Sequence, residues 1–501
     1  MTGNDLLRSV VIVGGGTAGW LSAAVLRAYL DALALDITVV ESPDIPIIGV
    51  GEATVPPLVD LFRRIGISEE RMMRACSATW KLGIRFDDWH GPGSSYWHPF
   101  GIVGGSVDGL PFYYYWLRHR LATRATEFTD FSPNAEVARR NRAPIAAHGR
   151  SEIIERGFYA WHLDAVRLAT FLREICIDKG VRHVADEVVH VECGAAGIES
   201  IVCRDAGTIE ADLYLDCSGF SALLAEGALH DSWQDWSRLL LCDRAVTLPL
   251  APDGNYPPFT RARALDAGWA WTIPLYDRTG CGYVYSSRHI DDDEALDALT
   301  RHTGASRIAG EPRFLPMRVG RRLAFWRGNC VAVGLAAGFL EPLESTGIYF
   351  VQESLEQLLR YFPGRTMNPA LIERYNERMA NTFDDVRDFI LLHYLLSGRD
   401  GEFWTQARNV PPGDDLRAAI TLHDATAMVE KPVASLFGAQ SVQTILAGNG
   451  HLPEAAPPQA RRVDLASIER ILDEIRQRND ALAESLSDHD AVLQRLHGIA
   501  P

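Results

Sequence analysis

The chain has 501 residues, 47% hydrophobic, 23% charged and 9% aromatic, and its 49 Lys and Arg against 65 Asp and Glu leave a formal charge of -16. An acidic surface repels phosphate backbones, so general nucleic-acid binding is excluded, and this apolar fraction leaves no room for a disordered chain. At roughly 150 residues per domain, about three domain-sized units are expected, able to share one large core.

Met1 to Arg8 lack a basic start followed by an apolar run, and no apolar stretch reaches about 18 residues without a charge. The expectation is a cytoplasmic protein with neither a signal peptide nor a membrane segment. Eight cysteines without a CxxC pair read as reduced core residues. They offer no zinc or disulfide framework, and no metal is expected.

The first element is the β-branched run Ser9-Val10-Val11-Ile12-Val13, followed by Gly14-Gly15-Gly16-Thr17-Ala18-Gly19 and the helical pattern from Trp20. A buried parallel strand feeding a helix through a glycine turn is expected. Gly14 permits the tight turn, Gly16 lets the backbone approach a pyrophosphate, and Gly19 lets the helix pack on the strand. With Thr17 and Ala18 they open the helix, whose N-terminus favours phosphate. The next apolar run ends in Glu41, placed to accept ribose hydroxyls. Dinucleotide binding is expected; the alternative is a tight turn without ligand.

Thr79-Trp80-Lys81-Leu82-Gly83-Ile84-Arg85-Phe86 alternates, placing Trp80, Leu82, Ile84 and Phe86 on a buried face and Lys81 opposite. Solvated surface is the plain reading of such a lysine, whereas an enclosed one could hydrogen-bond or react with an electrophilic oxidant. Residues 91–150 read as a loop-like aromatic insertion lining a pocket, with Tyr96, Trp97, Phe100 and the run Phe112 to Trp116. Strands return at 188–215, ending Asp216-Cys217-Ser218-Gly219, and again at Val331-Ala332-Val333-Gly334, with Gly338 close behind. No second dinucleotide fingerprint follows. FAD is therefore expected rather than NAD, arriving reduced from another protein.

Trp269-Ala270-Trp271-Thr272-Ile273-Pro274 puts Trp269, Trp271 and Ile273 on one face of a strand, as core or as a barrier between a substrate and the flavin. In Glu341-Pro342-Leu343-Glu344-Ser345-Thr346-Gly347, Ser345, Thr346 and Gly347 sit where a helix begins, suited to a small anion such as halide. Glu344 is either a first-turn carboxylate or a general base. Beyond it Ile348, Val351, Leu355, Leu358 and Phe362 form one helical stripe, and Leu465, Ile468, Leu472, Ile475, Leu482 and Leu486 form another. Ser487 with Asp490 reads as a helix cap.

Together the glycine fingerprint, Gly49-Val50-Gly51-Glu52-Ala53-Thr54-Val55-Pro56, Trp80-Lys81-Leu82-Gly83-Ile84, Trp269-x-Trp271-x-Ile273-Pro274 and Glu341 to Gly347 resemble the flavin-dependent tryptophan halogenases. The resemblance covers roughly residues 9 to 405. It implies an α/β fold: an FAD-binding Rossmann-like domain of flavin-monooxygenase type (1–90 and 151–350), the 91–150 insertion, and a mainly helical substrate-binding domain (351–501). It implies an enzyme that uses FADH2, O2 and chloride or bromide to form hypohalous acid. A separate NAD(P)H-dependent flavin reductase supplies the FADH2 by diffusion.

In that family Lys81 delivers the oxidant and Glu344 polarises it or removes the ring proton. Thr346 and Gly347 hold halide. Gly14, Gly16, Thr17, Ala18, Gly19, Glu41, Gly51, Ala53, Gly334 and Gly338 would hold FAD. His98, Pro99, Phe100 and Ser345 would line the substrate pocket, and Trp269, Trp271 and Ile273 would separate it from the flavin. A homodimer is compatible. The departure is at residues 411–453, where members acting on free tryptophan carry adjacent tyrosines and a glutamate gripping the amino-acid head. Here the chain reads Val433-Ala434-Ser435-Leu436-Phe437-Gly438-Ala439-Gln440, without tyrosine. Indole, or another aromatic without that head, is therefore the expected substrate. The rival readings are a flavin monooxygenase and a flavin-binding protein without catalysis.

Overall fold

The computed structural model describes residues 6–45, 51–146, 149–430 and 436–498. Contacts divide the chain into two compact units of three segments each: Met1–Cys76, Leu163–Ser237 and Met317–Asp384 form the first, and Ser77–His162, Arg238–Pro316 and Asp385–Pro501 the second. Among the described residues no helix is long and apolar enough to cross a membrane.

The first unit is built on a six-stranded sheet. Its order is Arg182–Ala185, Asp36–Glu41, Ser9–Val13, Leu213–Asp216, Cys330–Ala332 and Trp326–Arg327. The first five run parallel and the last is antiparallel. Numbered along the chain, the parallel strands lie in the order 3-2-1-4-5, the doubly wound arrangement whose ligand crevice opens at the carboxyl ends of strands 1 and 4. The β-branched residues Val10, Val11 and Ile12 are buried because helices cover such a sheet. Helix Thr17–Leu30 buries Trp20, Leu21, Val25 and Leu26, each worth about 1.5–3 kcal/mol as apolar area leaves water. Four residues of the expected stripe, Ile348, Val351, Leu355 and Leu358, are buried in helix Gly347–Arg360, whereas the fifth, Phe362, lies past its end.

The second unit carries a seven-stranded sheet, in the order Arg313–Pro316, Arg244–Leu250, Thr279–Tyr285, Gly268–Pro274, Thr260–Leu265, Gly83–Asp87 and Ser95–Pro99. Only Thr260–Leu265 with Gly83–Asp87 is a parallel pair. This sheet joins strands from 83–99 to strands from 244–316, so the units do not break at 90, 150 and 350 as the sequence reading drew them. The aromatic run from Phe112 is likewise no loop. It opens helix Phe112–Thr123, which buries Phe112, Tyr113, Tyr115 and Trp116 in a cluster with Phe128, Phe131, Ile468 and Leu472. Five consecutive aromatics mask the helical period. The last helix, His489–Gly498, is capped by Asp488 and not Ser487, since the Asp488 carboxylate accepts from the Ala491 N–H at 3.0 Å.

Candidate functional site

In the first unit the glycine turn lies at the carboxyl end of strand Ser9–Val13. Gly14 has φ +114°, and a Cβ there would stand 2.2 Å from the Cys217 carbonyl oxygen. A Cβ on Gly19 would stand 1.8 Å from the Gly14 carbonyl oxygen, so the helix packs this closely only with glycine. Gly16 differs: a Cβ there meets nothing within 4 Å. As N-cap it offers no side-chain hydrogen bond, and the first turn holds no acid. Thr17 is tied back through its hydroxyl to the Ala165 carbonyl at 3.1 Å, away from the first-turn N–H groups. Open space over uncapped N–H groups suits a pyrophosphate.

Glu41 ends the second strand with its carboxylate over Gly15, 3.1 Å from His183 Nε2. On the neighbouring strand Asp216 is buried and accepts from the N–H groups of Ser218, Leu224 and Ala225 and the Ser218 hydroxyl, which fixes the turn after Leu213–Asp216. Gly334 (φ +69°) would collide with Ala18 if it bore a Cβ, and Gly338 with the Phe383 ring. Both glycines permit close packing. Gly51 and Ala53 form the short strand Gly51–Ala53, whereas Gly49 and Val50 lie outside the described residues.

In the same unit Glu344 closes a 3₁₀ turn, Pro342–Glu344, and is 1% exposed. Ser345 follows with φ +62°, a left-handed conformation rare for a residue with a side chain. The chain is thereby swung so that Thr346 caps helix Gly347–Arg360 without a side-chain cap and without an acid in the first turn. The Thr346 hydroxyl is buried with no hydrogen-bond partner among the described residues. The helix thus begins with uncapped N–H groups beside a buried carboxylate, a geometry that suits a small anion.

In the second unit Lys81 is fully buried, which decides between the two readings of it. The alternating run does not form one strand. It breaks at Leu82 into Thr79–Lys81 and Gly83–Asp87, which belong to different sheets, so Lys81 does not face solvent from the back of a single strand. Its Nζ lies 5.1 Å from the centroid of the Phe100 ring, within cation–π range. Phe100 is held by its N–H to the Leu82 carbonyl at 2.8 Å. A Cβ on Gly83 would stand 2.7 Å from Pro99 Cα, so Gly83 sets how near His98 and Pro99 approach. His98 packs against Phe389 and Phe437, centroids 5.5 and 5.8 Å away, and those two rings stack at 4.0 Å. Val433, Ala434 and Ser435 lie outside the described residues.

Trp269 and Trp271 share one face of strand Gly268–Pro274, ring centroids 6.2 Å apart, and Ile273 is buried after them. The Trp271 ring occupies the place a Cβ on Gly282 would take, 2.2 Å away. That glycine is what lets the ring lie flat on the neighbouring strand.

The sequence reading missed His162. It is fully buried on strand Ala160–Asp164, opposite Thr79 on the strand that ends in Lys81. The Thr79 hydroxyl donates to the Pro274 carbonyl at 2.7 Å and therefore accepts from His162 Nδ1 at 3.0 Å, leaving His162 Nε2 to accept from the Thr260 hydroxyl at 3.0 Å. The chain of bonds assigns a neutral, Nδ1-protonated ring. Burial, then the charges of Lys81 and His489, hold its pKa well below the usual histidine value. It locks the Lys81 strand to the end of the tryptophan strand. No spacing in the sequence marks it, because its partners lie at 79, 260 and 274.

A doubly wound parallel sheet with a glycine turn at the carboxyl end of its first strand is the architecture of a dinucleotide-binding α/β protein. The tryptophan halogenase family model matches residues 9–465. The chain is 36% identical over 528 residues to tryptophan 7-halogenase RebH of Lentzea aerocolonigenes, covering 98% of each. It matches the solved structure of BrvH, a flavin-dependent halogenase from Brevundimonas sp. BAL3, with TM-score 0.91 and 38% identity over 98% of this chain and 99% of that one. Xcc4156, a flavin-dependent halogenase from Xanthomonas campestris, matches with TM-score 0.92 and 38% identity over 98% of both chains. The chain belongs to the flavin-dependent tryptophan halogenase family and is an oxidoreductase. The family implies FAD, a halide, an aromatic substrate and a separate flavin reductase, and the open space over Gly16 fits the cofactor's pyrophosphate.

Proposed function

We propose that this protein halogenates an indole-bearing substrate with chloride or bromide and O2, drawing FADH2 by diffusion from a separate flavin reductase. Reduced FAD, when bound, supplies the two electrons with which O2 turns halide into hypohalous acid, water leaving as the second product. The residues do the rest. Gly14 to Gly19 and Glu41 hold the cofactor, and Thr346 and Gly347 offer N–H groups to the halide. Lys81 presents the electrophilic halogen to the ring carbon, as a hydrogen-bonded acid or as a haloamine, and water is released. Glu344 takes the proton that the ring loses. Trp269, Trp271 and Ile273 keep the substrate from the flavin.

The observation that carries this reading is Lys81, fully buried beside Phe100 and braced through Thr79 by His162. Direct oxygen insertion has no use for such an amine, and loss of catalysis leaves its burial without a function. The test is mass spectrometry of tryptophan and of indole incubated with the protein, FAD, a reductase, NADH and halide. Halogen mass and isotope pattern are expected; a gain of oxygen, or no change, rejects the proposal.

RebH is named for tryptophan, which makes tryptophan the first substrate to assay. A second reading, indole or a larger aromatic without a free amino-acid head, is favoured by the tyrosine-free residues 411–453 and by Phe437 stacked on Phe389. Burying a carboxylate and an ammonium without partners costs several kcal/mol each. Equal concentrations of indole and tryptophan in one vessel separate the readings. A product pool dominated by indole halogenated at C3, its most electron-rich carbon, is the outcome the second reading requires, and halotryptophan in excess rejects it.

A further inference from the structure

In the second unit three potential ligands, none of them among the residues assigned to catalysis, converge. Helix Asp414–Thr426 ends with His423 and Asp424 in its last turn, and Ala427 closes it with φ +59° and an N–H to the His423 carbonyl at 2.7 Å. Helix Ala439–Gly448 is followed by a turn in which Gly450 (φ +72°) donates to the Ala447 carbonyl at 3.0 Å and His451 to the Leu446 carbonyl at 2.9 Å. The end of one helix and the turn after the next thus bring the side chains of His423, Asp424 and His451 together, one ligand atom from each, all within 4.8 Å of one another.

From this geometry we infer a binding site for one divalent transition-metal ion of the zinc type, held by His423 Nδ1, Asp424 Oδ1 and His451 Nε2. The distances fit. Bonds of about 2.0–2.1 Å in a tetrahedron place ligand atoms about 3.3 Å apart. His423 Nδ1 stands 3.4 Å from Asp424 Oδ1, and His451 Nε2 stands 2.7 Å from the same oxygen. The second pair opens by about 0.6 Å on exchanging a hydrogen bond for a shared metal.

The surroundings are those of a metal ligand set. His423 is fully buried, and its other nitrogen, Nε2, lies 2.9 Å from the Tyr113 hydroxyl, which orients the ring as an outer-shell partner does. His451 and Asp424 are 34% and 46% exposed, so an ion can enter and water can complete the coordination. Two imidazoles and one carboxylate suit zinc over calcium or magnesium, which prefer oxygen. The position at a helix C-terminus, where carbonyl dipoles gather, adds a favourable field for a cation. The bound ion would pin the end of one helix to the turn after the next.

The test uses the full-length protein, stripped with EDTA and dialysed, titrated with zinc chloride by isothermal calorimetry, with magnesium chloride as control. Wild type is expected to take up one equivalent of zinc. Asp424→Ala changes an exposed side chain and His451→Ala a partly exposed one, so both should match wild type in circular dichroism and melting temperature in EDTA. Each should lose at least tenfold in zinc affinity. No uptake by wild type, or an affinity loss smaller than tenfold in either variant, overturns the inference: the three side chains would then be only a hydrogen-bonded clasp.

Discussion

A lysine with no solvent around it has to be held, and its removal separates delivery of the halogen from oxidation of the flavin. Lys81→Ala should bring halogenated product below detection while FADH2 consumption by O2 continues, because Lys81 and the glycine turn are built in different units. Product yield and FADH2 oxidation measured in the same vessel check this, and normal yield from the variant would end the delivery role. Lys81→Arg should not rescue: a delocalised guanidinium is a poor nucleophile towards halogen. Glu344→Gln keeps the shape of a buried side chain and removes the base. A fall in kcat of roughly 10²-fold is expected for the loss of a general base. An unchanged single-turnover rate of halogenation would leave Glu344 as a residue of the 3₁₀ turn alone.

At the scale of elements, the glycines of the first turn have unequal duties. Gly14 and Gly19 are needed for the chain to fold at all, since any side chain there meets backbone within about 2 Å. Gly16 has φ -75° and ψ -172°, an extended conformation open to any residue, and faces open space. Gly16→Val should therefore melt close to wild type while binding FAD about tenfold more weakly, roughly 1.4 kcal/mol. Differential scanning calorimetry and a flavin-fluorescence titration measure the two. Wild-type FAD affinity in that variant would show that the space over Gly16 is not used by the cofactor.

Over the whole molecule, buried histidines couple stability to pH. His162 and His489 are fully buried and their pKa values are pushed down, His489 to about 4; partly buried His302 moves the same way. Below about pH 6.5 the unfolded chain binds protons that the folded chain refuses, so stability falls as pH falls, by about 1.4 kcal/mol per pH unit for each such histidine. Glu52 runs the other way: burial pushes its carboxyl up to about 7, so between pH 7 and 4.5 the folded state gains a proton that the unfolded state lacks. The raised carboxyls of Asp87, Asp231 and Glu353 offset the loss further, whereas the lowered carboxylates of Asp88, Glu226 and Asp292 add to it as pH falls. Urea unfolding at pH 7.5, 6.0 and 5.0 should show the midpoint dropping at each step. A flat profile would mean that these rings carry protons in the folded state.

What the sequence determined by itself is local in origin. The glycine turn, Glu41 at the end of the second strand, the tryptophan pair at spacing two and the helix from Gly347 are all written within a few residues, where backbone period and turn chemistry act directly. The family motifs were legible for the same reason. Only the tertiary structure decided the rest. Whether Lys81 is wet or dry depends on a strand break at Leu82 and on the Phe100 ring beside it, and periodicity reports one face of a segment, not what covers the other. His162 acquires its bracing role from Thr260 and Pro274 some hundred residues away. The aromatic run 112–116 became a helix because a cluster including residues as distant as Ile468 and Leu472 buries it, and side chains apolar on every face leave no period to read. His423, Asp424 and His451 meet because the end of one helix meets the turn after the next, which sequence spacing does not encode.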